Sequence, residues 1–298
     1  MIKRTLHFGN PCYLKKKDMQ LCVDYPDDSA SKTVPIEDIG MVVLEDQSIT
    51  ISNALLMALT ANGAAVLTCN AQHMPEGLLL PMAGHHAFTE KVKAQMEASV
   101  PLKKNLWQQT IQSKIRNQAA LLRYVGVAAE NMDYWASSVK SGDPDNYEAR
   151  AAAFYWSALF NLPRFKRGRH EDPPNNLLNY GYAILRAVVA RALVGSGMMT
   201  FTGIHHRNKY NPYCLADDIM EPYRPYVDQV VLNILEEEED IDELTPALKR
   251  QLLVIPAIDI ELDGKKSPLM VGVQRTTASL MQCFDGAGRK ILYPVLKS

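Results

Sequence analysis

The sequence predicts an α+β protein, with a small N-terminal mixed β-sheet domain over residues 1–84 and a larger all-α domain over residues 85–298. Three observations carry this. The first eighty or so positions are filled by short apolar runs, one of them strictly alternating, with turn-forming residues between them, the mark of strands with one buried face. The composition then changes at Gly84-His85-His86. From Phe88 onward the apolar residues recur at helical spacing and glycine becomes rare, as in stacked amphipathic helices.

Within the first domain, residues 5–8 and 12–14 read as short strands, and 19–24 alternates in and out. Residues 32–36, 40–44 and 48–52 continue the series, with Asp27, Asp28 and Ser29 supplying turn chemistry. Asn53 is placed to cap a helix running to Ala61, which Asn62-Gly63 ends. Residues 64–69 read as a buried strand and 77–82 as the last one. There is no nucleotide loop, glycine-rich phosphate cradle or catalytic dyad in this region. It reads as structural, and exposed apolar faces on it would favour a homodimer.

In the second domain, Val100-Pro101 breaks one helix and starts another. Residues 102–124 form a long amphipathic pattern with Lys103, Lys104, Gln109, Lys114 and Asn117 on its polar face. A shorter helix is predicted over 128–139 and an alanine- and aromatic-rich buried one over 149–160. Asp145 followed by Glu148 fits a capping box at its start. A strong helix covers 175–194, stopped by Gly195-Ser196-Gly197, and further helices cover 227–235, 244–253 and 276–283. Residues 258–264 and 270–273 read as a hairpin around Asp263-Gly264, and the tail from Ile291 is strand-like.

Composition narrows the function classes. At 298 residues, 47% hydrophobic and 22% charged, the chain has ample core and the balance of a soluble globular protein. No apolar run reaches bilayer-spanning length and the N-terminus lacks a signal peptide's apolar block. Five scattered cysteines without Cys-x-x-Cys spacing argue for a reducing, cytoplasmic setting and against a zinc or disulfide framework. A net charge of −1 counts mildly against nucleic-acid binding, but without the five acids of 236–240 the remainder is +4.

The chemistry concentrates in 203–228. Gly203-Ile204-His205-His206-Arg207-Asn208 forms a loop with a histidine pair, which runs into a helical pattern holding Asp218 and Glu221 on one face. An imidazole facing two carboxylates is a divalent-metal half-site suited to magnesium or manganese, or else a solvated loop beside the wet face of a helix. Pro222 and Pro225 require a break or kink next to Glu221. Glu148 is either a helix-capping residue or a carboxylate at the mouth of a cleft. Arg164, Lys166, Arg167, Arg169 and His170, interleaved with Phe160 and Phe165, form either a solvated basic loop or a phosphate-binding one. Tyr180 and Tyr182 either brace DNA or sit buried with satisfied hydroxyls.

Three of these places together resemble the CRISPR-associated adaptation integrase, the endonuclease that inserts new spacers into CRISPR arrays. The matching residues are Gly203-x-x-His206-x-Asn208, Asn211 and Leu215-Ala216-x-Asp218-Ile219-Met220-Glu221-Pro222-Tyr223-Arg224-Pro225, supported by Asn146-Tyr147-Glu148 and Asn179-Tyr180-Gly181-Tyr182. His206 precedes Glu221 by 15 residues, the interval of the type II versions. The resemblance implies Glu148, His206 and Glu221 as catalytic metal ligands for Mg2+ or Mn2+, with His205 an extra histidine able to take the ligand place and Asp218 a supporting partner. It implies DNA contacts from Arg164, Lys166, Arg167, Arg169, Tyr180 and Arg224, and no nucleotide cofactor. The implied partners are double-stranded DNA (spacer precursor and repeat), a second copy, a small CRISPR-associated subunit in a heterohexamer-like complex, and the type II effector nuclease. The C-terminal tail is expected to contact a partner. The competing readings are a stand-alone metal-dependent nuclease or phosphohydrolase, and a non-catalytic DNA-binding scaffold.

Overall fold

The N-terminal runs resolve into eight strands and a helix: β1 (Arg4–Phe8), β2 (Tyr13–Lys17), β3 (Gln20–Asp24), β4 (Lys32–Pro35), β5 (Ile39–Leu44), β6 (Thr50–Ile51), α1 (Asn53–Ala61), β7 (Ala65–Cys69) and β8 (Pro75–Leu79). The computed structural model describes residues 3–27, 30–160, 162, 165–168, 170–238 and 240–297. Asp28 and Ser29 of the expected turn lie outside the described residues. The strands form two mixed sheets, ordered β1-β5-β7-β8 and β4-β3-β2-β6. In the first, β1, β5 and β7 run parallel and β8 antiparallel; in the second, β2 pairs antiparallel with β3 and parallel with β6. β5 is buried at five of its six positions, as a central parallel strand covered on both faces must be. The core of this unit comprises Leu14, Leu21, Val23, Ile36, Val42, Leu55, Leu59 and Val66 among others, each such side chain contributing about 1.5–3 kcal/mol on burial. α1 stops where Gly63 takes a left-handed φ of 68°.

The chain divides into two compact units, Met1–His86 and Ala87–Ser298, against the expected boundary at 84/85. The second unit contains α2 (Phe88–Glu97), α3 (Val100–Tyr124), α4 (Glu130–Ser138), α5 (Tyr147–Ala158), α6 (Asn175–Gly195), α7 (Cys214–Met220), α8 (Arg224–Glu237), α9 (Pro246–Leu252) and α10 (Leu269–Phe284). It is not purely helical, because β9 (Asp259–Leu262) and β10 (Lys265–Pro268) pair as an antiparallel hairpin before α10. Residues 270–273, expected in that hairpin, belong to α10. The turn at Asp263-Gly264 is correct, but β10 follows it directly, with Lys265 opposite Leu262, and has ended by Pro268.

α3 starts at Ser99, whose side chain accepts a hydrogen bond from Leu102 N. Part of its expected wet face turns inward: Lys114 and Asn117 are buried. The apolar residues Trp107, Ile111, Ile115, Leu121 and Leu122 are buried with them, so a broad stripe of the helix faces protein. α6 also departs from expectation, since its 21 residues reach membrane-spanning length and a mean hydropathy of 1.3. Its most apolar window is 78% buried within the fold, which makes it a core helix. A Cβ on Gly181 would stand 2.6 Å from Val227 Cγ1, so glycine permits α6 and α8 to approach closely.

Candidate metal centre

Two breaks in helical structure and one loop deliver the side chains. At the start of α5, Asp143 rather than Asp145 caps the helix, its carboxylate accepting from Tyr147 N and Glu148 N at 2.9 Å each. The expected capping box is therefore absent and the Glu148 side chain is free to turn elsewhere. Its Oε1 lies 2.7 Å from Lys114 Nζ on α3. Between α7 and α8 the chain tightens into a 3-10 turn, Glu221–Tyr223. Pro222 and Pro225 both sit at the first turn of a helical segment, where a missing N–H costs nothing. Asn117 Nδ2 on α3 donates to Pro222 O at 2.8 Å, fixing this turn.

Glu221 is 5% exposed. Its Oε1 accepts from Arg224 Nε at 2.9 Å, and its Oε2 forms an ion pair with Lys114 Nζ at 2.6 Å without hydrogen-bond alignment. Burial by itself raises the Glu221 carboxyl, but Arg224 and Lys114 outweigh it and hold the group at about 2. Burial likewise lowers the Lys114 ammonium, and the charges of Glu221 and Glu148 reverse that direction and raise it. One ammonium thus stands between two carboxylates from separate segments.

The histidine pair is sorted by its neighbours. His205 stacks flat on Trp107, with ring centroids 4.1 Å apart and 3° between planes. His206 meets the same indole edge-on and gives its Nδ1 to Asp218 Oδ1 at 2.5 Å. The wholly buried Asp218 also accepts from the backbone N of Ile204, His205 and His206 at 2.7, 3.0 and 3.2 Å. The bond to Asp218 raises the His206 pKa, burial opposes it, and the charges of Asp218, Glu221 and Glu148 add to the rise. His206 is thus within electrostatic reach of both glutamates, and among the described residues its hydrogen-bonded ring nitrogen is Nδ1. Pinning one imidazole nitrogen on a carboxylate is how proteins orient metal-binding histidines.

The predicted site residues are therefore gathered unevenly. Glu148 and Glu221 flank one nitrogen, with His206 and its partner Asp218 alongside. Among the described residues, no group of three His, Cys, Asp or Glu stands close enough to hold a metal as arranged, and Lys114 Nζ is paired with both carboxylates. Two carboxylates around a single cation position, with an oriented imidazole nearby, are nonetheless the donor set of a hard or borderline divalent ion such as Mg2+ or Mn2+. Arg224 and Arg167 both lie against the Tyr182 ring, 4.5 and 5.1 Å from its centroid. Arg167 is further held by Asn175 Oδ1 and Asn179 Oδ1, while Lys166 is exposed beside Glu171. Arg164 and Arg169 lie outside the described residues. Tyr180 is 0% exposed, so the expectation that it braces DNA is corrected: its ring belongs to the core of α6.

Several participants escaped the sequence reading. Lys114 and Asn117, on the expected wet face, both fall within three or four residues of the apolar stripe Trp107, Ile111, Ile115, Leu121, a usable signal of an inward polar group. Asp228 accepts from Tyr155 OH at 2.6 Å and Tyr182 OH at 2.5 Å, and burial raises its pKa to about 6 against the pull of those hydrogen bonds. On the His206 side, an open groove of about 360 Å³ is lined by Lys103, Phe201, His206, Arg207 and Lys209. Its cations come from α3 and from the loop, so no single stretch displays the patch.

Residues 7–243 match the family model described as CRISPR associated protein Cas1. The chain belongs to the Cas1 family. It is 38% identical over 281 residues to the CRISPR-associated endonuclease Cas1 of Neisseria meningitidis serogroup C, covering 94% of this chain and 91% of that one. Its fold is similar to that of a casposase bound to integration product, with a TM-score of 0.78 at 18% identity over 98% of this chain and 92% of the other. It is also similar to a chain of a Cas6-RT-Cas1–Cas2 complex, with a TM-score of 0.75 at 20% identity, covering 99% of this Cas1 chain and 36% of that larger one. At such identities these two likenesses speak for the Cas1 fold alone.

Proposed function

We propose that this Cas1 family member joins the 3′-hydroxyl of incoming DNA to a CRISPR repeat by transesterification, at a centre where Glu148, His206 and Glu221 hold one Mg2+ or Mn2+ ion. The observation that carries this reading is the convergence of Glu148 and Glu221 on a single cation position, beside an imidazole fixed by Asp218. A divalent ion bound there supplies Lewis-acid neutralisation of the non-bridging and leaving oxygens of the phosphodiester. The chain's own side chains do the rest. Asp218 keeps His206 Nδ1 engaged, so that Nε2 would be the nitrogen to hold the ion. Arg224 holds Glu221 ionised and in place. Lys166 and Arg167 on one side, and Lys103, Arg207 and Lys209 on the other, position phosphates without reading bases. His205, flat against Trp107, serves to seat the loop. Attack by a DNA hydroxyl requires no covalent protein intermediate.

The same reading places the chain in the cytoplasm as a homodimer joined through its N-terminal unit. A small second subunit completes a heterohexamer-like assembly on double-stranded DNA, and the effector nuclease of a type II system is a further partner. A strand-joining assay with branched half-site DNA and Mn2+ tests the proposal. Glu148→Ala, His206→Ala and Glu221→Ala are each expected to reduce joining by two or more orders of magnitude, roughly the loss of several kcal/mol of charge stabilisation, with circular dichroism unchanged. Loss in His205→Ala with full activity in His206→Ala would transfer the ligand role. Cleavage of plain DNA without joining would instead identify a stand-alone nuclease, and metal-independent binding without joining a scaffold.

A further inference from the structure

Lys114 carries the wrong charge for a metal ligand, yet its Nζ stands 2.7 Å from Glu148 Oε1 and 2.6 Å from Glu221 Oε2. An ion ligated by both carboxylates at about 2.0–2.6 Å must occupy nearly the same point. An ammonium and a divalent cation cannot share it, since two positive charges at such contact repel strongly in a buried site. The ammonium therefore needs somewhere to go, and the helix provides it. Gln118 lies one turn further along α3, on the same face. It is 3% exposed, and its Oε1 is buried with no hydrogen-bond partner among the described residues. Lys114 and Gln118 line one cavity of about 140 Å³, together with Arg167, Tyr182, Glu221 and Arg224. A buried carbonyl oxygen without a donor is costly, and an ammonium arriving from one turn away is the donor it lacks.

We infer that Lys114 is a tethered cation that holds Glu148 and Glu221 together and yields its place to the divalent ion by swinging to Gln118 Oε1 in the adjoining cavity. This rests on the metal reading above and deepens it. Lys114 acts as a positioning residue in both places. Between the glutamates it neutralises their mutual repulsion and keeps a ligand-competent arrangement. At Gln118 it remains beside Arg167 and Arg224, so metal binding adds the ion's full charge without expelling the ammonium from the centre. The positive charge facing a phosphate rises accordingly.

The test is Mn2+ binding to the full-length protein, read from the paramagnetic resonance signal of the free ion. Removing the competing cation in Lys114→Met is expected to tighten Mn2+ binding by about tenfold, within the usual range of site-to-site coupling. Gln118→Met, which strands the displaced ammonium, is expected to weaken it by about fivefold. The effect of Gln118→Met should vanish in the Lys114→Met background, which a merely structural role for Gln118 would not produce. Unchanged or weaker binding in Lys114→Met overturns the inference, as does a Gln118→Met effect that persists without Lys114. If Lys114→Met does not fold, Gln118→Met alone decides, and wild-type affinity there overturns the exchange. Glu221→Ala separates the two levels: if it leaves wild-type Mn2+ binding intact, the metal reading itself fails and this inference with it.

Discussion

Asp218 accepts four hydrogen bonds, three from consecutive backbone amides and one from the imidazole of His206. It sets both the loop path and the ring orientation. Asp218→Asn places an amide group against donors and loses the charge that fixes the imidazole. Apparent metal affinity is expected to fall by roughly 10–100-fold, read as a shift in the Mn2+ concentration for half-maximal joining with little change at saturating metal. A second carboxylate governs pH dependence. Asp228 is raised from 3.8 to about 6 in the fold, so the folded chain keeps a proton that the unfolded chain releases. Its contribution is fully present below the unfolded value and is lost as pH rises through about 6. Urea unfolding between pH 4 and 7 should show wild type losing on the order of 2–3 kcal/mol relative to Asp228→Asn across that window. At this scale the sequence showed which residue types were present but not which way they point. Lys114 reads as one more surface lysine, because charge is local to the sequence whereas its two partners are 34 and 107 residues away.

The elements matter through their ends. A Cβ on Gly203 would lie 2.5 Å from His206 O and 2.7 Å from Asp218 Oδ2, inside the loop that Asp218 gathers. Gly203→Ala is expected to cost about 2–3 kcal/mol through overpacking and to displace His206, reducing joining at least as much as Asp218→Asn does. Denaturant unfolding together with the joining assay measures both. The glycine was legible in the sequence as a motif position, and its reason is this close approach. Helix existence was also legible, since α3, α5 and α6 announce themselves by period. Their ends were less so: Asp145 and Asp143 both offer capping chemistry, and only the backbone path, with Asn146 in the left-handed region, selects Asp143. The hairpin before α10 shows the same limit, because its second strand, Lys265–Pro268, is polar, and the apolar run that follows it is the buried first turn of the helix.

For the whole molecule, a net charge of −1 conceals a basic surface near the centre. Lys103, Arg207 and Lys209 line the groove beside His206, and Arg167 and Arg224 line the cavity on the other side. If two or more of these neutralise phosphates, affinity for double-stranded DNA should drop by at least about tenfold between 50 and 200 mM salt, despite the acidic total. A titration monitored by fluorescence anisotropy checks this, and a flat salt response would remove the phosphate-binding role of both surfaces. Family membership was visible in the sequence because motif residues sit at fixed short spacing in the 203–225 block, and local spacing survives without knowledge of the fold. The sequence alone determined the fold class, most of the helices and the identity of Glu148, His206, Asp218 and Glu221 as the residues to watch. Only the tertiary structure decided that Lys114 stands between the two glutamates, that Tyr180 is core and that Asp218 faces His206. Those facts depend on distances between segments far apart in the chain, which packing sets and composition does not encode.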